Sequence, residues 1–404
     1  MPSSHAGITP DGLIAVEERW GARNYHPLDI VVDRAAGAWV FDIEGRKYLD
    51  CLSAYSAVNQ GHCHPRILQA LRDQAERVTL TSRAFRNDQL PLFCKELAER
   101  CQMEMVLPMN TGAEAVETAL KAARRWGYRH KGIPEDRAEI IVCRNNFHGR
   151  TTTITGFSSE PAYRSGFGPF TPGFVSIPFG DVAALEAAIT PNTCAFLFEP
   201  IQCEAGILLP PEGFLRDAVE LCRRHRVLSI ADEIQTALGR VGEWFACWRE
   251  NAQPDMFVLG KALSGGFYPV SAVVSSVAIL GVFEPGSHGS TYGGNPLACA
   301  VARTALRVIE DEQLVEKSRT LGAWFLSELQ KIPHPVIREV RGVGLLVGMD
   351  LTVPARPVCE RLMEAGILCK ETHEHVIRIA PPLVISRDDL AWALERIRNV
   401  FSAM

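Results

Sequence analysis

The sequence predicts an α/β fold: a large domain on a mainly parallel sheet, and a smaller α+β domain at the C-terminal end. Three observations carry this. Short apolar runs alternate with amphipathic stretches through the middle of the chain. The runs are apolar at consecutive positions, as in strands buried on both faces. From about residue 295 the pattern changes to long helical stretches followed by short strand-like pieces.

The runs are Glu139 to Cys143, Cys194 to Phe198, Val227 to Ala231, Met256 to Leu259 and Val270 to Val274. Between them, Val116, Ala119, Leu120 and Ala123 recur at helix spacing, as do Leu215, Ala218, Leu221 and Cys222. Strands alternating with helices build a parallel sheet. Further along, a helix is expected from about Asn295 to Glu310, and another carrying Leu321, Phe325 and Leu329. Gly344 to Asp350 and Val376 to Ile379 read as strands. Ser386 to Asp389 reads as a capping box opening a last helix with Leu390, Leu394, Ile397 and Phe401. A chain of 404 residues exceeds what one core usually serves. The expected divisions are an N-terminal segment 1–50, a large domain 51–294 and a small domain 295–404.

Composition narrows the function. With 47% hydrophobic and 22% charged residues the chain reads as soluble and globular. A net charge of −5 without blocks of like charge gives no nucleic-acid surface. The twelve cysteines include no C-x-x-C pair, and many lie in apolar runs such as Ile140 to Cys143. Free buried thiols are expected, not a disulfide framework or a zinc site. Met1 to Trp20 shows no basic segment followed by an apolar one and carries Asp11, Glu17 and Glu18. No secretory signal, transit peptide or membrane span is expected, and the chain reads as cytoplasmic. His62-Cys63-His64 and His373-Glu374-His375 lack metal-ligand spacing on a helix face and read as loops. Gly342, Gly344 and Gly348 have the wrong spacing for a dinucleotide loop.

Ligands on parallel sheets collect at the carboxyl ends of strands. The run Val227 to Ala231 ends in Asp232-Glu233-Ile234-Gln235, and Met256 to Leu259 ends in Gly260-Lys261. An aspartate and a lysine alone would also describe a salt bridge. The setting of Lys261, in Leu259-Gly260-Lys261-Ala262-Leu263-Ser264-Gly265-Gly266, is apolar and glycine-rich. Desolvation there favours the neutral amine, which condenses with a carbonyl. A buried Asp232 suits a pyridine nitrogen, which it would hold protonated so that the ring accepts electrons. Asn110-Thr111-Gly112-Ala113-Glu114-Ala115 leads into a helix whose N-terminus suits a phosphate. The turn Gly289-Ser290-Thr291-Tyr292-Gly293-Gly294 offers further hydroxyl donors.

These stretches resemble the class III, fold-type I aminotransferases that depend on pyridoxal 5'-phosphate, and within them the ornithine aminotransferases. The resemblance runs from about Trp20 to Ile397. It rests on Ala54-Tyr55-Ser56-Ala57-Val58-Asn59-Gln60-Gly61-His62-Cys63-His64-Pro65, Leu107-Pro108-Met109-Asn110-Thr111-Gly112, Asp232-Glu233-Ile234-Gln235-Thr236, Gly260 to Gly266 and His288 to Pro296. It implies that Lys261 carries the cofactor covalently and later shuttles a proton. Asp232 would pair with the pyridine nitrogen, Gln235 would approach the phenolic oxygen, and Phe147 would stack on the ring. Gly112 and Ala113 would bind phosphate, with Ser290 and Thr291 reaching in from the other subunit of a homodimer.

The same resemblance implies transfer of the δ-amino group of L-ornithine to 2-oxoglutarate. The products are glutamate 5-semialdehyde, which cyclises to pyrroline-5-carboxylate, and L-glutamate. Arg150 matches the arginine for the far carboxylate, and Arg378 the one beside the reacting carbon. Ornithine has no carboxylate near its terminal amine, so Glu204 would neutralise Arg378 and swing away when 2-oxoglutarate binds. Tyr25 and Tyr55 match positions that hydrogen-bond the α-amino acid end of ornithine. Other readings stay open: a relative using N-acetylornithine, 4-aminobutyrate or lysine, an aminomutase on the same fold, or an idle cofactor-binding protein.

Three residues depart from the family pattern. Cys203 stands where glycine is usual beside Glu204, so a backbone needing positive φ there would be strained. Ala237 also replaces a common glycine. His148 stands where ornithine aminotransferases of higher organisms often have tryptophan, although histidine is frequent elsewhere in the class.

Overall fold

The computed structural model describes residues 9–404. The targeting expectation for Met1 to Trp20 therefore lies in part outside the described residues.

Seven strands form the central sheet in the order Met105–Met109, Ser271–Ser275, Met256–Leu259, Leu228–Asp232, Thr193–Phe198, Glu139–Cys143, Phe174–Ile177. Ser271–Ser275 runs antiparallel to both neighbours, and the other pairings are parallel. Alternate side chains divide between two cores. Ile140 and Val142 enter one, and Ile141 and Cys143 the other. This explains why the runs read as apolar throughout. The helix Gly112–Trp126 covers one face with Ala115, Val116, Ala119, Ala122 and Ala123, small residues that let it lie close. Phe214–Arg224 belongs to the opposite core, burying Phe214, Leu215, Ala218, Leu221 and Cys222. Each large side chain buried this way contributes about 1.5–3 kcal/mol.

Several strand boundaries move by one residue from the expected ones: Thr193–Phe198 starts one residue early, and Leu228–Asp232 and Ser271–Ser275 each sit one residue later. Leu228–Asp232 makes Asp232 the last residue of its strand, where Val227 to Ala231 was expected to end before it. Asp232 pairs with Val258, so the carboxyl ends of the strands that lead to Asp232 and Lys261 share one edge of the sheet.

At the other end, Ile337–Val343, Leu346–Leu351, Val376–Ile379 and Lys370–Thr372 form an antiparallel sheet. Gly344 turns its first hairpin with φ +57. Val32–Ala36, Trp39–Asp42 and Lys47–Asp50 form a third sheet, and Ile367–Leu368 joins it parallel to Lys47–Asp50. The N-terminal strands are thus tied to the C-terminal part of the chain. The helix Pro296–Asp311 lies against Pro65–Ala75 and Leu90–Cys101. Arg387–Ser402 closes the chain, with Ser386 and Asp389 forming its capping box.

All twelve cysteines are free. Most are buried, but Cys94 is half-buried and Cys63 exposed, because Cys63 turns the chain at φ +51 between His62 and His64. Those histidines pair with carboxylates, His62 with Asp50 at 2.7 Å and His64 with Glu312 at 2.9 Å. Among the described residues no cluster of side chains could hold a metal ion, and no helix is long and apolar enough to cross a membrane.

Candidate active site

A cavity of about 190 Å³ opens at the carboxyl edge of the central sheet. Gly112, Ala113, Phe147, Asp232, Gln235 and Lys261 all line it, together with His148, Glu199, Ile234 and Thr236. Six expected residues from four separate stretches of sequence are therefore brought to one place.

Lys261 begins the short 3-10 turn Lys261–Ser264 with φ +46, a left-handed conformation that a non-glycine residue adopts at a cost of about 1–3 kcal/mol. Burial disfavours its ammonium form and lowers its pKa to about 8, against the raising effect of Glu204. Asp232 is buried. Its Oδ1 accepts from the Ile234 amide at 3.1 Å, and its Oδ2 lies 2.6 Å from Nδ1 of His148. Glu199 sits beside them, accepting from the Phe147 amide at 3.0 Å. Burial, and then the charge of Asp232, push its carboxyl well above the usual range.

The end of the cavity at Gly112 and Ala113 rests on local geometry. Thr111 caps the helix Gly112–Trp126 in a box with Glu114. The amides of Gly112 and Ala113 have no intrahelical acceptor in that first turn and suit an anion. A Cβ on residue 112 would stand 2.8 Å from Cδ1 of Ile234, so glycine keeps the space open. Ser290 and Thr291 do not line this cavity. Ser290 instead accepts from Asn110 Nδ2 of its own chain at 2.9 Å, and Thr291 is exposed.

Glu204 Oε1 meets Arg378 Nη2 at 2.9 Å. The Arg378 side chain is 2% exposed and that of Glu204 24%. Burial alone would raise the Glu204 carboxyl, but Arg378 and Lys261 outweigh it and hold it below the usual value. Gln235 bridges the pair, accepting from Arg378 Nη1 at 3.3 Å and donating to Glu204 Oε1 at 3.1 Å. Cys203 has no positive φ. It offers its backbone carbonyl to Arg378 Nη2 at 3.0 Å, so the strain considered from the sequence does not arise.

Tyr55 lies over Arg378, its ring centroid 5.2 Å from the guanidinium carbon. It is held there by an unusual backbone: Ser53, Ala54, Tyr55 and Ser56 have φ of 52, 46, 59 and 70°. Such residues cost roughly 1–2 kcal/mol each. The turn is fixed by Asp50 Oδ1, which accepts from the Leu52 and Ser53 amides, and by Ser53 Oγ donating to Ala380 O at 2.6 Å. Tyr55, Glu204 and Arg378 do not line the cavity themselves, and Glu204 and Arg378 adjoin it through Gln235; Tyr25 and Arg150 are exposed and also stand outside the lining. Arg150 stacks on Tyr163 at 3.7 Å and reaches Phe147 at 5.5 Å.

Sequence reasoning gave no role to Glu199, Tyr163 or Thr372, and noted His148 only as a departure. Glu199 follows the apolar run ending at Phe198, so the rule that found Asp232 also reaches it. Nothing in spacing points to Tyr163 or Thr372.

A family model described as Aminotransferase class-III matches residues 20–401. Over 388 residues the chain is 62% identical to a protein of Brevibacillus brevis named ornithine aminotransferase, covering 96% of this chain and 97% of that one. The ornithine aminotransferase of Toxoplasma gondii, crystallised with oxidised glutathione and holding pyridoxal phosphate at partial occupancy, superposes with a TM-score of 0.97. It is 46% identical over 98% of this chain and 94% of its own. The acetylornithine aminotransferase of Elizabethkingia anophelis gives 0.90 at 48% identity, over 98% and 99% of the two chains.

Proposed function

The chain belongs to the class-III aminotransferases, and from that premise we propose that it moves the δ-amino group of L-ornithine onto 2-oxoglutarate. The observation that carries this reading is the Glu204–Arg378 pair, covered by Tyr55. A buried arginine without a partner is costly. Neutralised by Glu204, it accepts a substrate whose reacting end has no carboxylate. Released from Glu204, it binds the α-carboxylate of 2-oxoglutarate or glutamate.

The residues present fit pyridoxal 5'-phosphate. An amine with lowered pKa, a buried carboxylate and a helix N-terminus line one cavity, and a Cβ at Gly112 would press on Ile234 in its wall. When bound, that group supplies an aldehyde to join the substrate amine and an electron-accepting ring. Lys261 would hold it covalently, Gly112 and Ala113 would hold its phosphate, and Phe147 would cover its ring. Asp232 would keep a proton on the ring nitrogen, with His148 supporting its charge. Gln235 would serve the phenolic oxygen while bridging Glu204 and Arg378. Lys261 Nζ takes the proton from the carbon bearing the reacting amine and returns it towards product.

Tyr25 and Arg150 would take the α-amino acid end of ornithine at the mouth, Arg150 its carboxylate. Ser290 and Thr291 would serve the cavity of a partner subunit, which their position outside their own cavity supports. A homodimer in the cytoplasm and the divisions at residues 50 and 294 complete the reading.

Spectral titration of the holoenzyme with ornithine, N-acetylornithine, lysine and 4-aminobutyrate tests it. Ornithine is expected to discharge the cofactor absorbance at the lowest concentration. Preference for N-acetylornithine would overturn the substrate assignment.

A further inference from the structure

Glu204 can leave Arg378 only if something else keeps the arginine and the Glu204 backbone in place. The hairpin formed by Lys370–Thr372 and Val376–Ile379 carries both Arg378 and a residue suited to that task. Thr372 pairs with Val376, which puts it on the same face as Arg378, two residues along the neighbouring strand. Its Oγ1 donates to the backbone carbonyl of Glu204 at 2.6 Å and accepts from Arg378 Nη2 at 3.3 Å. One buried hydroxyl thus touches both halves of the pair.

The surrounding contacts define what moves. Arg341 donates to the carbonyls of Gly206 at 2.8 Å and Ile207 at 3.2 Å, and is itself paired with Glu339 and Asp350. Ile207 is a buried β-branched residue at φ +56, so the loop after Glu204 is held in a strained backbone. Arg341 and Thr372 therefore pin the loop on both sides of residue 205. Glu204 can depart by side-chain rotation while its backbone stays. Without the Glu204 carboxylate, Arg378 Nη2 keeps the Cys203 carbonyl and Thr372 Oγ1, and Nη1 keeps Gln235. Its Nε is buried and has no partner among the described residues.

We propose that Thr372 is a positioning residue for dicarboxylate binding: its hydroxyl anchors the Glu204 backbone and holds Arg378 in register once the Glu204 carboxylate has moved. This rests on the ornithine reading and adds a residue to its switch. Valine at this position keeps the shape and removes both hydrogen bonds, so that once the Glu204 carboxylate has moved a buried guanidinium N–H is short of an acceptor. The effect should fall on the ligand that engages Arg378 directly, not on one held only by its far carboxylate.

The test is calorimetric titration of the holoenzyme with glutarate, which has carboxylates at both ends, and with valerate, which has one. Thr372→Val is expected to weaken glutarate about tenfold, with valerate within twofold of the parent protein. Thr372→Ser, which keeps the hydroxyl, is expected to restore glutarate binding. In steady state, kcat/KM for 2-oxoglutarate should fall by a similar factor, with that for ornithine changed less than threefold. Unchanged glutarate binding in Thr372→Val, or equal weakening of both ligands, would overturn the proposal. Arg378→Gln separates this from the underlying reading. If that variant keeps the preference for glutarate, the carboxylate role of Arg378 itself is wrong. If it loses the preference while Thr372→Val keeps it, only the role of Thr372 falls.

Discussion

Nδ1 of His148 lies 2.6 Å from Oδ2 of Asp232, with both side chains buried. An ionised Asp232 makes Nδ1 the donor, and charge-assisted bonds of this length are the strong ones. The other ring nitrogen, Nε2, has no partner among the described residues. The pair fixes the orientation of the carboxylate proposed to face the cofactor ring. Replacing His148 with phenylalanine should weaken pyridoxal phosphate binding about tenfold, as expected for a lost hydrogen bond to a buried charge. It should also lower kcat more than KM. Cofactor affinity and kcat both within twofold of the parent would show that the pair is only structural.

Lys261 sets a pH dependence. Burial brings its pKa down to about 8, so below that pH the amine is mostly protonated and cannot attack a carbonyl. The rate of loading the apoenzyme should climb about tenfold from pH 6 to 7 and level off above pH 8. Glu204 raises this pKa, so Glu204→Gln should move the midpoint lower. Rapid-mixing absorbance measures both, and a rate still rising steeply between pH 9 and 10 would contradict the assignment.

Removing Glu204 leaves Arg378 with neutral acceptors only. Glu204→Ala should slow the ornithine half-reaction tenfold or more and leave the 2-oxoglutarate half-reaction within about threefold. Stability should drop by on the order of 3 kcal/mol, read by denaturant unfolding. Equal changes in both half-reactions, measured in single turnovers, would remove the switch from the account.

Cys203 is expected to be a passive substitution. Its contribution to the site is a backbone carbonyl, and burial pushes its thiol up to about 12, far from the reactive thiolate. Cys203→Gly should leave the ratio of the two half-reactions within twofold, and alkylating reagents should not inactivate the enzyme through this residue. Inactivation by iodoacetamide that Cys203→Gly abolishes would show the thiol to be accessible.

The chemistry at the sheet edge was legible because it follows a rule of parallel sheets. Asp232 and Lys261 each end an apolar run, and the pairing of Asp232 with Val258 places those runs side by side. Helix faces were legible from period, as in Phe214–Arg224. Other features depend on contacts that sequence spacing does not encode. Lys47–Asp50 meets Ile367–Leu368 across most of the chain, and no local pattern announces it. Ser53 to Ser56 contains no glycine, so nothing local reveals four consecutive left-handed residues, although Asp50 and Ala380 hold them. Thr372 reads as an ordinary strand residue until the fold sets it between Glu204 and Arg378. Tyr25 and Arg150, matched by motif, are exposed and, like Tyr55, Glu204 and Arg378, stand outside the cavity lining, because a motif fixes identity and not the distance to the site.

Reduction of the holoenzyme with borohydride, followed by peptide mapping, tests the central claim most directly. The reading of this site predicts one reduced cofactor per chain, attached to Lys261. Attachment at another lysine, or full release of the cofactor on denaturation after reduction, would contradict it.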